Sequence, residues 1–277
     1  MTIDKGKYNE EYFARYRESI ARKTRGLNAP ERSIRCVEAA VNLPFAESVL
    51  VEREMSFESH RDPQAKALQH VFFAERQANK VPGLARDAAL RSIDSVAVIG
   101  AGTMGGGIAM NFANVGIPVK ILEMNSEALE KGLAVIKKNY DATARKGRIS
   151  EAEVEKRMAL LTGTTDYNEL ADADLVIEAV FENMEVKKEV FKTLSNTVRP
   201  ETILASNTSY LNIDELASVV EKPERMLGMH FFSPANVMRL LEIVRADKTS
   251  PDVLATILRL AKAINKVGAV AGVCHGF

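Results

Sequence analysis

Four short stretches hold the residues whose types and spacing suit chemistry. The run GAGTMG places glycines at Gly100, Gly102 and Gly105. In such a run the first glycine permits a tight turn. The second lets the backbone approach a pyrophosphate, and the third lets a helix pack closely on a strand. Thr103 and Met104 then fall at a helix N-terminus, whose free N–H groups and positive dipole end favour phosphates. Taken alone, the pattern also suits a purely structural strand–turn–helix connection. Glu123 follows about 20 residues on, where a carboxylate accepts hydrogen bonds from ribose hydroxyls and repels a 2′-phosphate. Met124 and Asn125 come next, with no arginine beside them, so NAD is favoured over NADP. No Gly-Lys-Ser/Thr follows the loop, which excludes a P-loop.

His230 sits between the apolar run at 226–229 and the segment FFSP. Oxidation of an alcohol by hydride transfer needs a base for the hydroxyl proton, and histidine titrates near working pH. Glu242, inside the apolar run LLEIV, is the natural partner, because a carboxylate in a buried strand requires one. By spacing alone, His230 reads equally as such a base or as a satisfied core histidine. The run SNTS at 206–209, with Asn207 and Ser209, offers hydrogen-bonding groups at the end of a strand or caps a helix before Ile213. Glu178 and Glu182 flank the end of another strand. One of them faces a cofactor, or they are solvated loop carboxylates. His60, His70 and His275 read as solvated or packing residues.

The elements that must position these groups are legible as alternating patterns. Continuous apolar runs predict strands at 96–99, 119–122, 175–180, 202–205, 226–232, 240–244 and 269–273. Helical periodicity follows the glycine run through Ile108, Phe112 and Val115 and stops at Gly116. It resumes from Ser126 as N-cap, with Leu129, Leu133 and Ile136 on one side. A charged helical excursion is expected over 144–156, and further helices over 186–198 and 251–266. Strands alternating with such helices predict an α/β fold with a Rossmann-type, doubly wound, mostly parallel sheet.

Residues 1–92 differ. They are charged, lack β alternation, and predict helices over 31–42 and 63–80. In the second, Leu68, Val71, Phe72 and Phe73 form a short stripe expected to pack on a partner. Val81-Pro82-Gly83 is a stop signal and 84–92 a connector. The expected division is a helical segment at 1–92 and a dinucleotide-binding domain at 93–277.

Composition excludes several classes. The 277 residues are 46% hydrophobic and 27% charged, as in globular proteins. Lys+Arg and Asp+Glu both number 37, so no net charge draws the chain to nucleic acid or an anionic membrane. There is no apolar run of about 18 residues, so no membrane span is expected. The charged N-terminus lacks the apolar stretch of a secretory signal. Cys36 and Cys274 form neither a metal pattern nor a disulfide framework, which points to a reducing cytoplasm.

With these residues in view, the sequence resembles the NAD-binding domain of 3-hydroxyacyl-CoA dehydrogenases of fatty acid β-oxidation. The resemblance rests on GAGTMGGGIA from Gly100, EAVFEN from Glu178, SNTSYL from Ser206 and HFFSPANVMRLLEIV from His230. It implies that His230 is the catalytic base, Glu242 its paired carboxylate and Ser209 the serine that binds the substrate's 3-oxygen. It implies cofactor contacts at Glu123, Glu182, Lys187 and Asn207, with NAD as cofactor and an acyl-CoA as substrate. Ser233 followed by Pro234 and Ala235 resembles the multifunctional branch, which fuses an enoyl-CoA hydratase to the dehydrogenase. Residues 1–92 resemble the hydratase tail and linker helix of that branch. No hydratase signature can be placed upstream, and the helical domain that follows Gly276-Phe277 in the family is expected to be absent. A middle fragment of a larger enzyme is therefore expected, either active or binding NAD without turnover. Its exposed docking surface is expected to favour self-association. A structural protein reusing the fold is disfavoured by the His230–Glu242 pair. Dehydrogenases that rely on a lysine in another segment are disfavoured by the HFFSP context.

Overall fold

The computed structural model describes residues 6–78, 80–85 and 87–277, and these divide into two compact units between Gln77 and Ala78. The first unit is helical. Its helices are α1 Glu10–Ile20, α2 Ala29–Asn42, α3 Phe45–Arg61 and α4 Pro63–Ala78. Asn9 caps α1 by accepting from the Tyr12 N–H at 3.0 Å, a device that stabilises by about 1 kcal/mol. Phe13, Ile34 and Val41 make a small core with Tyr8 and Ile20. Arg17 bridges Glu31 and Glu38, and Arg32 binds Asp62 at 2.7 Å.

The helices expected near 31–42 and 63–80 are present, whereas α1 and α3 were not anticipated. In α1 only Phe13 is buried, so charged residues mask the period. In α3 the apolar Phe45, Val49, Leu50 and Phe57 are exposed and mark no buried face. The stripe on α4 does not pack as expected. Leu68, Val71, Phe72 and Phe73 are all exposed. The Arg76 guanidinium lies 4.2 Å from the Phe72 ring centroid and covers part of it. Position 79, within the predicted helix, lies outside the described residues.

The second unit is a three-layer α/β structure. Among the described residues its eight strands form one sheet in the order β3-β2-β1-β4-β5-β6-β7-β8. They are β1 Val96–Ile99, β2 Val119–Leu122, β3 Leu161–Thr164, β4 Leu175–Glu178, β5 Ile203–Ser206, β6 Met226–Phe231, β7 Leu240–Arg245 and β8 Val267–Gly272. The first six are parallel. β7 runs antiparallel to β6, and β8 is parallel to β7. All four residues of β1 and of β4 are buried, as a strand covered on both faces requires. Burying each large apolar side chain contributes about 1.5–3 kcal/mol.

One face packs Ile108 and Phe112 of α5 Thr103–Ala113, Ile136 of α6 Ser126–Arg145, and Leu254 and Ile257 of α10 Pro251–Ala263. The other packs Phe191 and Leu194 of α8 Met184–Thr197 and Leu216 of α9 Ile213–Ala217. Two helices differ from expectation at their ends. The cap of α6 is Asn125, whose side chain accepts from the Ala128 N–H at 2.8 Å, and Ser126 is the first helical residue. The charged excursion over 144–156 is two pieces. α6 runs to Arg145, Gly147 turns the chain at φ +66°, and Ser150 caps α7 Glu151–Met158. β3 was not expected, because its Thr-Gly-Thr carries no apolar run. No described helix is long and apolar enough to cross a membrane.

Candidate active site

The strand order reverses between β1 and β4, and open α/β sheets bind ligands in the crevice at such a point, beyond the C-terminal strand ends. The glycine loop lies there. Gly100 has φ +102°, and a Cβ on it would stand 2.8 Å from the Ala179 carbonyl oxygen, just past β4. A Cβ on Gly105 would stand 1.8 Å from the Gly100 oxygen, so α5 meets the turn only as glycine. Gly102, at the N-cap of α5, is exposed, and a Cβ there would meet nothing within 4 Å. The loop is therefore tight where it packs and open where Thr103 and Met104 begin the helix. Uncapped N–H groups at such an end suit a pyrophosphate.

Glu123 follows directly after β2. Its Oε1 accepts from the Ala101 N–H at 2.8 Å and its Oε2 from the Met124 N–H at 2.9 Å. The carboxylate is thus fixed against the glycine loop, where it can accept from a ribose. Glycine turn, open helix end and adjoining carboxylate together fit an adenine dinucleotide.

A charged cluster stands beside the loop. Glu178 and Lys187 are buried, 0% and 1% exposed, and their Oε1 and Nζ are 2.6 Å apart. The Lys187 Nζ also lies 3.1 Å from Glu182 Oε2. Glu182 in turn accepts from the Thr208 hydroxyl, and from the Ser209 N–H at 2.8 Å. Burial acts to raise the Glu182 carboxyl, but hydrogen bonds from Thr208 and Ser209 and the Lys187 ammonium outweigh it and hold the group below its ordinary range. Of the two alternatives for these glutamates, solvated loop carboxylates fail for Glu178, which is inside the core. Ser209 is exposed, with its backbone held by Glu182. The SNTS run is no helix cap, because Asn212 caps α9.

His230 is near the C-terminal end of β6 and 15% exposed, and its Nδ1 lies 2.7 Å from Glu242 Oε2. The two residues are direct partners in the antiparallel β6–β7 pairing. Asn207 ties the neighbouring strand end in place, its Oδ1 accepting from the Phe231 N–H at 2.8 Å. The loop after Ser233 is anchored by groups that sequence reasoning missed. Lys266 Nζ donates to the Ala235 and Met238 carbonyls, each at 2.6 Å, and burial pushes its ammonium down. Asn111 Nδ2 donates to the Ala235 carbonyl at 3.1 Å. The signal that was available is the isolated lysine before the last strand.

The residues named from sequence therefore lie at the C-terminal ends of the central parallel strands or beside them. The profile described as "3-hydroxyacyl-CoA dehydrogenase, NAD binding domain" matches residues 95–274. The peroxisomal bifunctional enzyme of Cavia porcellus is 42% identical over 264 residues, covering 94% of this chain and 36% of that protein. The human peroxisomal bifunctional enzyme is 41% identical over 272 residues, covering 93% and 36%. The chain thus spans about a third of the length of the curated relatives it matches. Among solved structures, (S)-3-hydroxybutyryl-CoA dehydrogenase from Ralstonia eutropha superposes with a TM-score of 0.66 at 37% identity, covering 67% of this chain and 66% of that one. The dehydrogenase part of multifunctional enzyme 1 from C. elegans gives 0.64 at 31% identity, covering 72% and 48%. By its sequence profile and its relatives, the chain belongs to the 3-hydroxyacyl-CoA dehydrogenase family and carries that family's NAD-binding domain.

Proposed function

We propose that this protein oxidises L-3-hydroxyacyl-CoA to 3-ketoacyl-CoA with NAD, as a step of fatty acid β-oxidation. The observation that carries this reading is the 2.7 Å His230–Glu242 pair at the same end of the parallel strands as the glycine loop. Bound NAD supplies the hydride acceptor, and the chain's own residues handle the proton and the positioning. With Nδ1 engaged by Glu242, His230 presents Nε2 to the substrate and takes its hydroxyl proton. The Glu242 carboxylate orients the ring and stabilises the imidazolium. Ser209 binds the 3-oxygen of the substrate. Gly102, Thr103 and Met104 hold the pyrophosphate, with Gly100 and Gly105 shaping the turn beneath it, Glu123 holds the adenosine ribose, and Glu182 and Asn207 the nicotinamide side. Lys187, enclosed as it is, acts through Glu182.

Residues 1–92 are assigned as the counterpart of a hydratase tail and linker helix, and 93–277 as the dehydrogenase domain. The matches to bifunctional relatives support this, since they cover 93–94% of the chain and the family profile begins only at residue 95. A second reading is NAD binding without turnover. The exposure of Phe181 and Val237, 85% and 64%, favours it, because two large apolar side chains near Glu182 and Ser233 stand uncovered. Self-association through these side chains accompanies it, and a monodisperse monomer by light scattering at high concentration contradicts that part. The protein resides in the cytoplasm or in peroxisomes, the second being where its bifunctional relatives are named to act. A fluorescent fusion distinguishes the two.

The test of function is NAD reduction with a 3-hydroxyacyl-CoA. Turnover that His230→Ala abolishes supports the first reading. NADH binding with no turnover supports the second.

A further inference from the structure

Glu178 has no counterpart among the roles assigned above, yet it is fully buried and all of its contacts lead toward the site. Its Oε1 accepts from Lys187 Nζ at 2.6 Å and from the Val180 N–H at 2.7 Å. Its Oε2 accepts from the Ser206 hydroxyl at 2.6 Å. One carboxylate thereby joins the end of β4, the end of β5 and the first turns of α8. Each contact leads onward. Lys187 reaches Glu182 at 3.1 Å, and Glu182 holds Thr208 and the Ser209 N–H. The Val180 bond holds the turn just past β4, from which the chain leads on to Glu182. The Ser206 bond sets the start of the SNTS run.

A buried carboxylate with a single lysine partner is weak evidence for stability, because desolvation opposes the attraction. Its more specific effect is geometric. Without Glu178, the Lys187 ammonium loses its shortest contact and is free to shift relative to Glu182. We propose that Glu178 is a positioning residue, which sets the place of Glu182 and the Ser209 backbone without touching substrate or cofactor. This rests on the NAD-binding dehydrogenase reading above.

The test is a double-mutant cycle read by NADH fluorescence titration of the full chain, Glu178→Gln, Glu182→Gln and the double variant. If Glu178 acts through Glu182, Glu178→Gln weakens NADH binding about tenfold in the parent, a size usual for coupling within one hydrogen-bonded network. In the Glu182→Gln background it has less than about a twofold effect. Equal losses in both backgrounds, or no loss in the parent, overturn the proposal. If Glu178→Gln does not give a cooperative melt, Ser206→Ala replaces it in the same cycle, with about a threefold loss expected in the parent alone. A parent that binds no NADH overturns the cofactor reading by itself. Amide exchange by NMR then decides on Glu178. The Ser209 N–H exchanges faster in Glu178→Gln while the Ala101 N–H, bound to Glu123, does not change. An unchanged Ser209 N–H overturns the proposal.

Discussion

His230 and Glu242, twelve positions apart in sequence, face each other as direct partners across β6 and β7, with Nδ1 and Oε2 2.7 Å apart. Antiparallel partners project their side chains to the same face of a sheet. The strand register alone therefore brings base and carboxylate together. His230→Ala and Glu242→Gln are each predicted to lower turnover of a 3-hydroxyacyl-CoA by about a hundredfold or more, the usual share of a general base. NADH affinity should stay within about twofold, since neither residue touches the glycine loop. Steady-state kinetics beside an NADH titration separates the two effects.

The glycine loop offers a contrast between two similar substitutions. Gly105→Ala forces a Cβ to within 1.8 Å of the Gly100 oxygen, which must move. It should destabilise the second unit by about 3 kcal/mol or more, read by thermal melting. Gly102→Ala meets nothing within 4 Å and should cost no more than about 1 kcal/mol, the loss of a favourable N-cap residue. It should still weaken NADH binding, because the methyl group projects where a pyrophosphate must approach.

Glu123→Gln keeps a carbonyl acceptor for the Ala101 N–H but loses the charge. Hydrogen bonds to a charged group contribute about 1.5–3 kcal/mol, so NADH should bind at least about tenfold more weakly. The preference over NADPH should narrow as well, since the repulsion of a 2′-phosphate is gone. Parallel titrations with both nucleotides check this.

The sheet was largely legible because buried parallel strands read as continuous apolar runs, as VAVI of β1 and LVI of β4 do. Edge strand β3 was not, since half of it is exposed and it pairs with β2 on one side only. The site's outer residues were visible as exceptions to local pattern, such as glycines before a helix and a glutamate inside LLEIV. The inner ones were not. Glu178 reads as the polar end of a strand, and only the fold shows that Lys187 of α8 and Ser206 of β5 close over it. Lys266 and Asn111 meet the Ala235 carbonyl from opposite sides of the sequence, a contact that no local spacing encodes.

The first unit carries its own pH sensitivity. Hydrogen bonds from the Asn28 side chain, the Gln64 N–H and the Arg32 guanidinium push Asp62 down to about 2. A carboxylate lowered in the folded state contributes stability that is full above its unfolded value and lost as pH falls through the folded one. Between pH 4 and pH 2 the parent should therefore lose more resistance to urea than Asp62→Asn. Equal losses in the two proteins, followed by circular dichroism, contradict this assignment.

The most direct measurement of the central claim is an NADH fluorescence titration of the purified chain, with NADPH as control and Gly102→Ala alongside. Saturable NADH binding, much weaker NADPH binding and a loss in Gly102→Ala are the predicted results. A chain that melts cooperatively yet binds neither nucleotide, or binds both alike, would contradict it.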